Sequence, residues 1–301
     1  MEKTNFNEVM PLVTVYMPTH NRGALIRRAI DSVLNQTYKN LELIICSDGS
    51  TDETVDILQE YCDKDPRISY VVNETSQGAC YSRNRCIERA KGEFITGLDD
   101  DDEFTANRIE LFIERHLLEG RNILSASRLY RNDNETRVGD IFEGEITREM
   151  LGSANLIGNQ LFTKTEYIKS AGGFDTEFPA WQDYDMWYRL VSQFGSCYKL
   201  SEPTYIFYVD DNRPRITTGS RAYAGYRMFI EKHMSTLNNK QLKNLYFQDI
   251  LNRSQPVTLQ SLLKNITKTN FKIYLKEKLK KLSFAKKLHA LVSRKRTFSK
   301  I

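Results

Sequence analysis

The stretch Phe94-Ile95-Thr96-Gly97-Leu98-Asp99-Asp100-Asp101-Asp102 decides the reading of this chain: a short apolar run of strand character stops in four consecutive aspartates. Apolar runs of similar length lie upstream, at residues 13–17, 41–46 and 68–72, the first closed by Pro18. Between them Leu25, Ala29, Ile30, Val33 and Leu34 recur at helical intervals. Ser50-Thr51-Asp52-Glu53 reads as a capping box that opens a second helix, and residues 78–90 read as a third. Strand and helix in alternation mark an α/β sheet with crossover helices. A helix follows over residues 106–118, then more β-like segments to Phe162. The second half has α+β character, with helices over residues 165–171 and 184–194 ended by Gly172-Gly173 and Gly195.

The chain has 301 residues, 40% of them hydrophobic, which suffices for a large core and excludes both disorder and a small stapled fold. Its five cysteines are odd in number and lack zinc or redox spacing, as expected of reduced thiols in a cytoplasmic protein. Residues 1–7 are polar, and no run approaches the roughly 20 apolar residues that cross a bilayer, so neither an export signal nor a membrane span is expected. The formal charge of +4 is unevenly spread: residues 264–300 hold thirteen Lys or Arg against the single acid Glu277, leaving an acidic body. The change to basic, all-helical character places a boundary near residue 235, dividing residues 1–235 from an extension over 236–301.

Ligands of open α/β sheets bind beyond the carboxyl ends of the strands. Pro18-Thr19-His20-Asn21-Arg22 and Asp48-Gly49-Ser50-Thr51-Asp52 follow the first two strands, and the aspartate quartet follows the fourth. Crowded carboxylates repel one another, and a hard divalent cation such as Mg²⁺ or Mn²⁺ relieves the repulsion; Asp99 and Asp101, alternate residues at a strand end, would point the same way. A solvated acidic turn with Asp101 or Asp102 as a helix cap is the plainer alternative. Asp48 could accept hydrogen bonds from a ligand ring edge, or serve only a tight turn. His20 reads as a surface or structural histidine. Further on, Trp181-Gln182-Asp183-Tyr184-Asp185-Met186-Trp187 sets a carboxylate between the only two tryptophans. Indoles stack on sugar faces, and an apolar pocket raises a carboxyl pKa toward the range of a general base; a simple core helix is the alternative.

Taken together, Val13 to Arg22, Gln36 to Ile45, Asp48-Gly49-Ser50-Thr51-Asp52, the aspartate quartet, Ser82-Arg83-Asn84, Gly172-Gly173-Phe174-Asp175 and Gln182 to Leu190 resemble the family 2 glycosyltransferases over roughly residues 11–210. The resemblance implies a GT-A fold, that is, a Rossmann-like mixed sheet flanked by helices, with a nucleotide-sugar donor, inversion at the anomeric carbon and usually a divalent metal. It implies a nucleobase, typically uracil, held by Thr19, Asp48 and Arg83, in a donor site that also takes in Pro18, Asn21, Asp99 and Asp100, with Asp99 on the ribose side. Asp101 would be the main ligand of Mn²⁺ or Mg²⁺ and Asp183 the general base; apart from the resemblance, the indoles of Trp181 and Trp187 are read as acceptor contacts. Three departures stand out. Ser47 replaces a frequent aspartate. Gln182 replaces a frequent glutamate, which makes the field at Asp183 less negative. The 210–215 loop lacks a histidine, and Arg213 or Arg215 is left as a candidate for the diphosphate.

The basic tail suits an anionic inner leaflet, which implies a peripheral location on the inner face of the cell membrane and a lipid-linked saccharide acceptor, as in bacterial O-antigen or capsule synthesis. A solvated extension or a partner-binding arm is the alternative for the tail. A non-catalytic sugar-binding scaffold of the same fold is the alternative for the body. A nucleic-acid partner is not expected, because the body is acidic and no recognition motif stands out.

Overall fold

A computed structural model describes residues 10–132, 135–139, 141–209, 219–253 and 255–275. The chain divides into two compact units, residues 1–151 with 155–216, and residues 152–154 with 217–301. The boundary expected near 235 thus falls after residue 216, because the first helix beyond it packs with the helices that follow.

The first unit opens with β1 (Val13–Thr19), α1 (Gly23–Leu34), β2 (Leu41–Asp48), α2 (Thr54–Lys64), β3 (Ile68–Asn73), α3 (Ala79–Arg89) and β4 (Phe94–Gly97). It continues with β5 (Glu103–Phe104), α4 (Arg108–Glu119), β6 (Ile123–Arg131), β7 (Thr136–Val138), β8 (Gly144–Ile146) and α5 (Arg148–Leu151). β9 (Phe162–Lys164), α6 (Thr165–Ser170), α7 (Gln182–Phe194) and β10 (Cys197–Tyr208) complete it. The strands form one mixed sheet in the order β3-β2-β1-β4-β9-β6-β10-β5, with β7 on β6 and β8 on β10. β3, β2, β1 and β4 are mutually parallel, and β9 runs antiparallel to both β4 and β6. The carboxyl ends of β1, β2, β4 and β6 therefore share one edge. All seven residues of β1 are buried, as expected of a strand covered on both faces.

Aromatic rings pack together where β9 crosses between β4 and β6. The Phe162 ring stacks on Phe94 at 4.9 Å and on Phe112 of α4 at 5.1 Å, and all three side chains are fully buried. Such pairs add to the energy of burial itself.

Two local readings needed correction. Pro18 does not close β1, which runs on to Thr19. Tyr16 bonds on the β4 side through its carbonyl, which accepts from Leu98 N–H, so Pro18 faces that side too, past the last β1–β4 pair. Nor does Ser50 cap α2. Its Oγ accepts from Asn21 N–H at 3.0 Å, and Asp52 takes over instead, one carboxylate oxygen accepting from Thr54 N–H at 3.1 Å and the other from Gly23 N–H at 3.0 Å. One aspartate thus serves the amino ends of both α1 and α2, favourable because both present unpaired N–H groups there.

The second unit holds α8 (Gly219–His233), a single 3₁₀ turn (Met234–Thr236), α9 (Asn239–Asn252) and α10 (Leu259–Lys264). Asn238 and Gln241 form a reciprocal capping box at the start of α9. Leu263, Ile266, Phe271 and Leu275 are exposed apolar residues interleaved with Lys264, Lys268 and Lys272. Residues 276–301 lie outside the described residues, as does the 210–215 loop with Arg213 and Arg215. No helix among the described residues is long and apolar enough to cross a membrane.

Phe162→Ala empties the centre of the three-ring stack and is expected to cost about 3–5 kcal/mol, read as a lower denaturant midpoint by fluorescence of Trp181 and Trp187, which share the first unit with it.

Candidate active site

The quartet after β4 does not act as one cluster. Asp100 and Asp102 are buried, whereas Asp99 and Asp101 are partly exposed, the alternation expected of a strand end. Each takes different partners. Asp99 pairs with Arg83 of α3 at 2.9 Å and accepts from Gln160 at 3.2 Å and Asn159 at 3.3 Å. Asp100 lies 3.6 Å from Arg22; burial pushes its carboxyl up to about 7, the Thr19 hydroxyl and Arg22 working against the rise and Asp101 and Asp99 adding to it. Asp102 accepts from Tyr205 OH at 2.8 Å and Tyr208 N–H at 2.9 Å, and burial holds its carboxyl well above the ordinary range. It caps no helix. At Asp101 the backbone carbonyl accepts from Arg28 at 2.5 Å, while Arg28 also meets Glu103 at 3.0 Å and covers the Tyr208 ring at 3.5 Å.

Among the described residues no three His, Cys, Asp or Glu groups are placed to hold an ion by themselves. The donor set still fits a Mg²⁺-like cation, which takes one or two carboxylates and draws its other ligands from substrate phosphates and water. Asp101 is the residue here that suits that part.

Asp48 departs from its expected role. Its carboxylate accepts from Asn73 Nδ2 at 2.6 Å, Gln77 N–H at 2.9 Å, Ser76 Oγ at 2.8 Å and Gly78 N–H at 2.8 Å. A carboxylate has about four acceptor positions, and here all are used inside the protein. Burial opposes ionisation, but these bonds together hold the group below the usual carboxylate range. The residue therefore clamps the turn between β3 and α3. Gly49, at φ 66°, lets that turn come close, since a Cβ there would lie 2.7 Å from Ser76 N. His20 binds the Asp48 carbonyl at 2.6 Å through Nδ1, a structural contact as read from the sequence. Asn21, at φ 51°, accepts from Thr51 N–H at 2.8 Å, and Pro18 and Thr19 are both buried within β1.

Arg83 is 9% exposed, and among the described residues its Nε and Nη1 are buried without a hydrogen-bond partner. Two spare donors on a buried guanidinium are costly unless a ligand takes them. Phe174 lies 5.3 Å beneath it. The neighbouring Asn84 exchanges bonds with Phe174, its Nδ2 donating to the carbonyl at 2.7 Å and its Oδ1 accepting from the N–H at 2.8 Å. A Cβ on Gly173 would lie 2.6 Å from that Oδ1, which explains the glycine there, while Gly172 stands at φ 83°.

Asp183 enters the same site from α7. Trp181 stands at φ 65°, a costly conformation for an aromatic residue, and this turn starts the helix so that Asp183 lies in its first turn. Asn155 Nδ2 donates to its Oδ2 at 3.4 Å. Burial pushes the Asp183 carboxyl up to about 6, the Tyr184 backbone N–H and Arg83 opposing the rise and Asp99 adding to it. Asp183, Arg83 and Asp99 therefore feel one another's charge although they are spread over a hundred residues of chain. The tryptophans behave differently from the sugar platform expected of them. Trp187 is fully buried, donates to the Gly158 carbonyl at 2.9 Å and meets Phe174 edge-on at 5.7 Å, so no ligand can stack on it. Trp181 is 7% exposed and stacks on Tyr184 at 5.3 Å.

Asn155, Asn159 and Gln160 join Asp183 and Asp99 to the loop before β9, roles that no motif in the sequence marks. An amide-rich stretch before an apolar strand was the only available signal. Tyr16, a residue of β1, donates its hydroxyl to Gln160 Oε1 at 2.9 Å.

The sheet order is that of the GT-A class of fold. The model of glycosyl transferase family 2 matches residues 14–173, and the chain belongs to that family. It is 36% identical over 274 residues to the Escherichia coli K12 protein named as the colanic acid biosynthesis glycosyl transferase WcaA, covering 87% of this chain and 95% of that one. Identity is 31% over 186 residues to the Escherichia coli UDP-Glc:alpha-D-GlcNAc-diphosphoundecaprenol beta-1,3-glucosyltransferase WfaP, covering 61% of this chain and 72% of that one. Among solved structures, Staphylococcus aureus TarS 1-349 in complex with UDP-GlcNAc superposes with a TM-score of 0.66 at 17% identity, covering 82% of this chain and 76% of that one, a likeness of fold.

Replacing Asp99 by Asn removes a negative neighbour and leaves Arg83 without its carboxylate. Both changes favour ionised Asp183, so its carboxyl is expected to titrate below the native value of about 6 in a carbon-13 NMR titration.

Proposed function

We propose that this glycosyltransferase moves a hexose, glucose or galactose, from a UDP-sugar to a sugar hydroxyl on a lipid-diphosphate-linked acceptor, with inversion and formation of a β linkage. The observation that carries the reading is Arg83, with two buried donors that have no partner among the described residues, set in one electrostatic neighbourhood with Asp183 and its raised carboxyl. The printed activity of WfaP supports the diphosphate-linked acceptor, and the UDP-GlcNAc complex of TarS supports a uridine nucleotide donor.

In this reading Arg83 and Thr19 meet the nucleobase, Asp99 the ribose side, and Asp48 serves them by holding the β3–α3 turn. Asp183 takes the proton of the acceptor hydroxyl as its oxygen bonds to the anomeric carbon, and the bond to the diphosphate breaks with its electron pair on the leaving oxygen. A carboxyl near 6 is ionised at neutral pH yet basic enough to accept that proton. Mn²⁺ or Mg²⁺, held by Asp101 and the donor diphosphate, would supply stabilisation of the charge on the leaving group. Asp100, beside Arg22 and Thr19, supports the turn behind them. Of the aromatic acceptor contacts, Trp187 is withdrawn, and Trp181 contributes through the turn that aims Asp183.

Asp183→Asn is expected to lower kcat by about 10²–10⁴-fold while UDP binding, measured calorimetrically, stays as in the wild type. The wild-type rate should fall about tenfold per pH unit below about 6, because protonated Asp183 cannot act as base. A screen of UDP-sugars against a GlcNAc-diphosphate-lipid, with and without Mn²⁺, tests the activity directly. Absence of any product, or full activity of the Asn variant, would sink the assignment.

The basic segment 264–300 is proposed to hold the enzyme on the anionic inner face of the membrane, each Lys or Arg near the surface contributing about 1 kcal/mol. Removing residues 264–301 should abolish sedimentation with phosphatidylglycerol vesicles at low salt, with UDP binding retained.

A further inference from the structure

The hairpin of β6 and β7 stands at the carboxyl edge of the sheet and carries a cationic face that the transfer step, as described so far, does not use. In the antiparallel register Arg137 lies opposite Tyr130, and Arg128 precedes Tyr130 by two residues, so the three side chains share one face. The guanidinium carbons of Arg128 and Arg137 lie 5.8 Å and 5.0 Å from the centre of the Tyr130 ring. Arg131 points to the other face, donating to Thr136 Oγ1 and to Tyr208 OH, both at 3.2 Å.

The face with Arg128 is turned toward the support of Asp183. A Cβ on Gly158 would lie 2.9 Å from Arg128 Nη2, so this guanidinium rests against the glycine. The Gly158 carbonyl in turn accepts from Asn155 Nδ2 at 3.1 Å, the same amide that donates to Asp183. On its other side Gly139 N–H donates to the Arg128 carbonyl at 2.8 Å, and a Cβ there would lie 3.0 Å from the Tyr130 ring and 3.2 Å from Arg128 Cγ. Two glycines thus leave the slot in which Arg128 lies. Neither Arg128 nor Arg137 makes an ion pair with any described residue.

A planar guanidinium that has no carboxylate partner among the described residues, lodged beside the support of the proposed base, suits a bidentate anion such as phosphate. The position argues for the acceptor's phosphate over the donor's. Arg83 and Asp99 occupy the nucleotide side at β4, and the base must face the incoming hydroxyl, so a cation beyond the base meets the part of the acceptor next to the accepting sugar. We propose that Arg128 and Arg137, on either side of Tyr130, bind the diphosphate of the acceptor and so position its sugar hydroxyl at Asp183. This rests on the reading that the acceptor is a diphosphate-linked sugar.

The test is calorimetric binding at saturating UDP, which fills the donor's diphosphate site, with two water-soluble probes: GlcNAc-diphosphate on a short alkyl chain and the neutral alkyl glycoside of GlcNAc. No vesicles are present, so a lipid surface cannot supply the anion. The wild type should prefer the diphosphate probe. Arg128→Gln and Arg137→Gln should each weaken it by about tenfold and together by about a hundredfold, leaving the neutral glycoside and UDP unchanged; Arg128→Lys should recover part of the loss. Equal weakening of the neutral glycoside would make the arginines structural and overturn the proposal. Weaker UDP binding in the variants would move the site to the donor and overturn it likewise. Retention of the wild-type preference by the double variant overturns this proposal alone. A wild type that does not prefer the diphosphate probe overturns the acceptor reading and this proposal together.

Discussion

Four carboxylates at the end of one buried strand cannot all stay ionised and unpaired, and the arrangement of the first unit answers that constraint. The pleat sends Asp100 and Asp102 inward, where burial raises both carboxyls and where Arg22 lies near the first and Tyr205 and the Tyr208 N–H serve the second. Asp99 goes outward onto Arg83. That ion pair matters beyond its own energy, since breaking a largely buried pair leaves one charge uncompensated. It also orients α3 and the loop before β9 around the same point, because Arg83 belongs to the first and Asn159 and Gln160 to the second.

The loops beyond β1 and β2 are tied to one another by polar side chains rather than by apolar contact. Asp52 joins the amino ends of α1 and α2, Asn21 bridges to Thr51, and Asp48 gathers four donors from the stretch between β3 and α3. Each tie engages unpaired backbone N–H groups at turns or helix starts, where an acidic or amide side chain is favourable. These bonds fix the loop edge, beside which, among the described residues, Arg83 keeps two buried donors without partners and the Asp183 carboxyl is raised by burial.

Much of this was legible in the residues. The strand and helix alternation, the quartet's alternate orientation and the candidacy of Asp183 for a raised pKa all follow from local pattern, because pleat, helical period and an aromatic surround are properties of short segments. Ser50 and Asp52 show where that reading stops. Both are good caps by type, and the choice between them depended on where Asn21 and Gly23 come to lie, some thirty residues away. The tryptophans teach the same lesson: two indoles beside a carboxylate suggest a sugar platform, yet Phe174 and the Gly158 carbonyl enclose Trp187.

By itself the sequence determined which segments become strands and that acid collects after the fourth of them, since burial on both faces of a parallel sheet demands continuous apolar runs and places polar residues at their ends. Only the tertiary structure decided which carboxylates stay accessible, that Asp48 is spent on a turn, and that an aspartate on α7 shares a field with Arg83 and Asp99. Burial and Coulomb interaction depend on neighbours in space, and those neighbours come from strands and loops brought together by the sheet order.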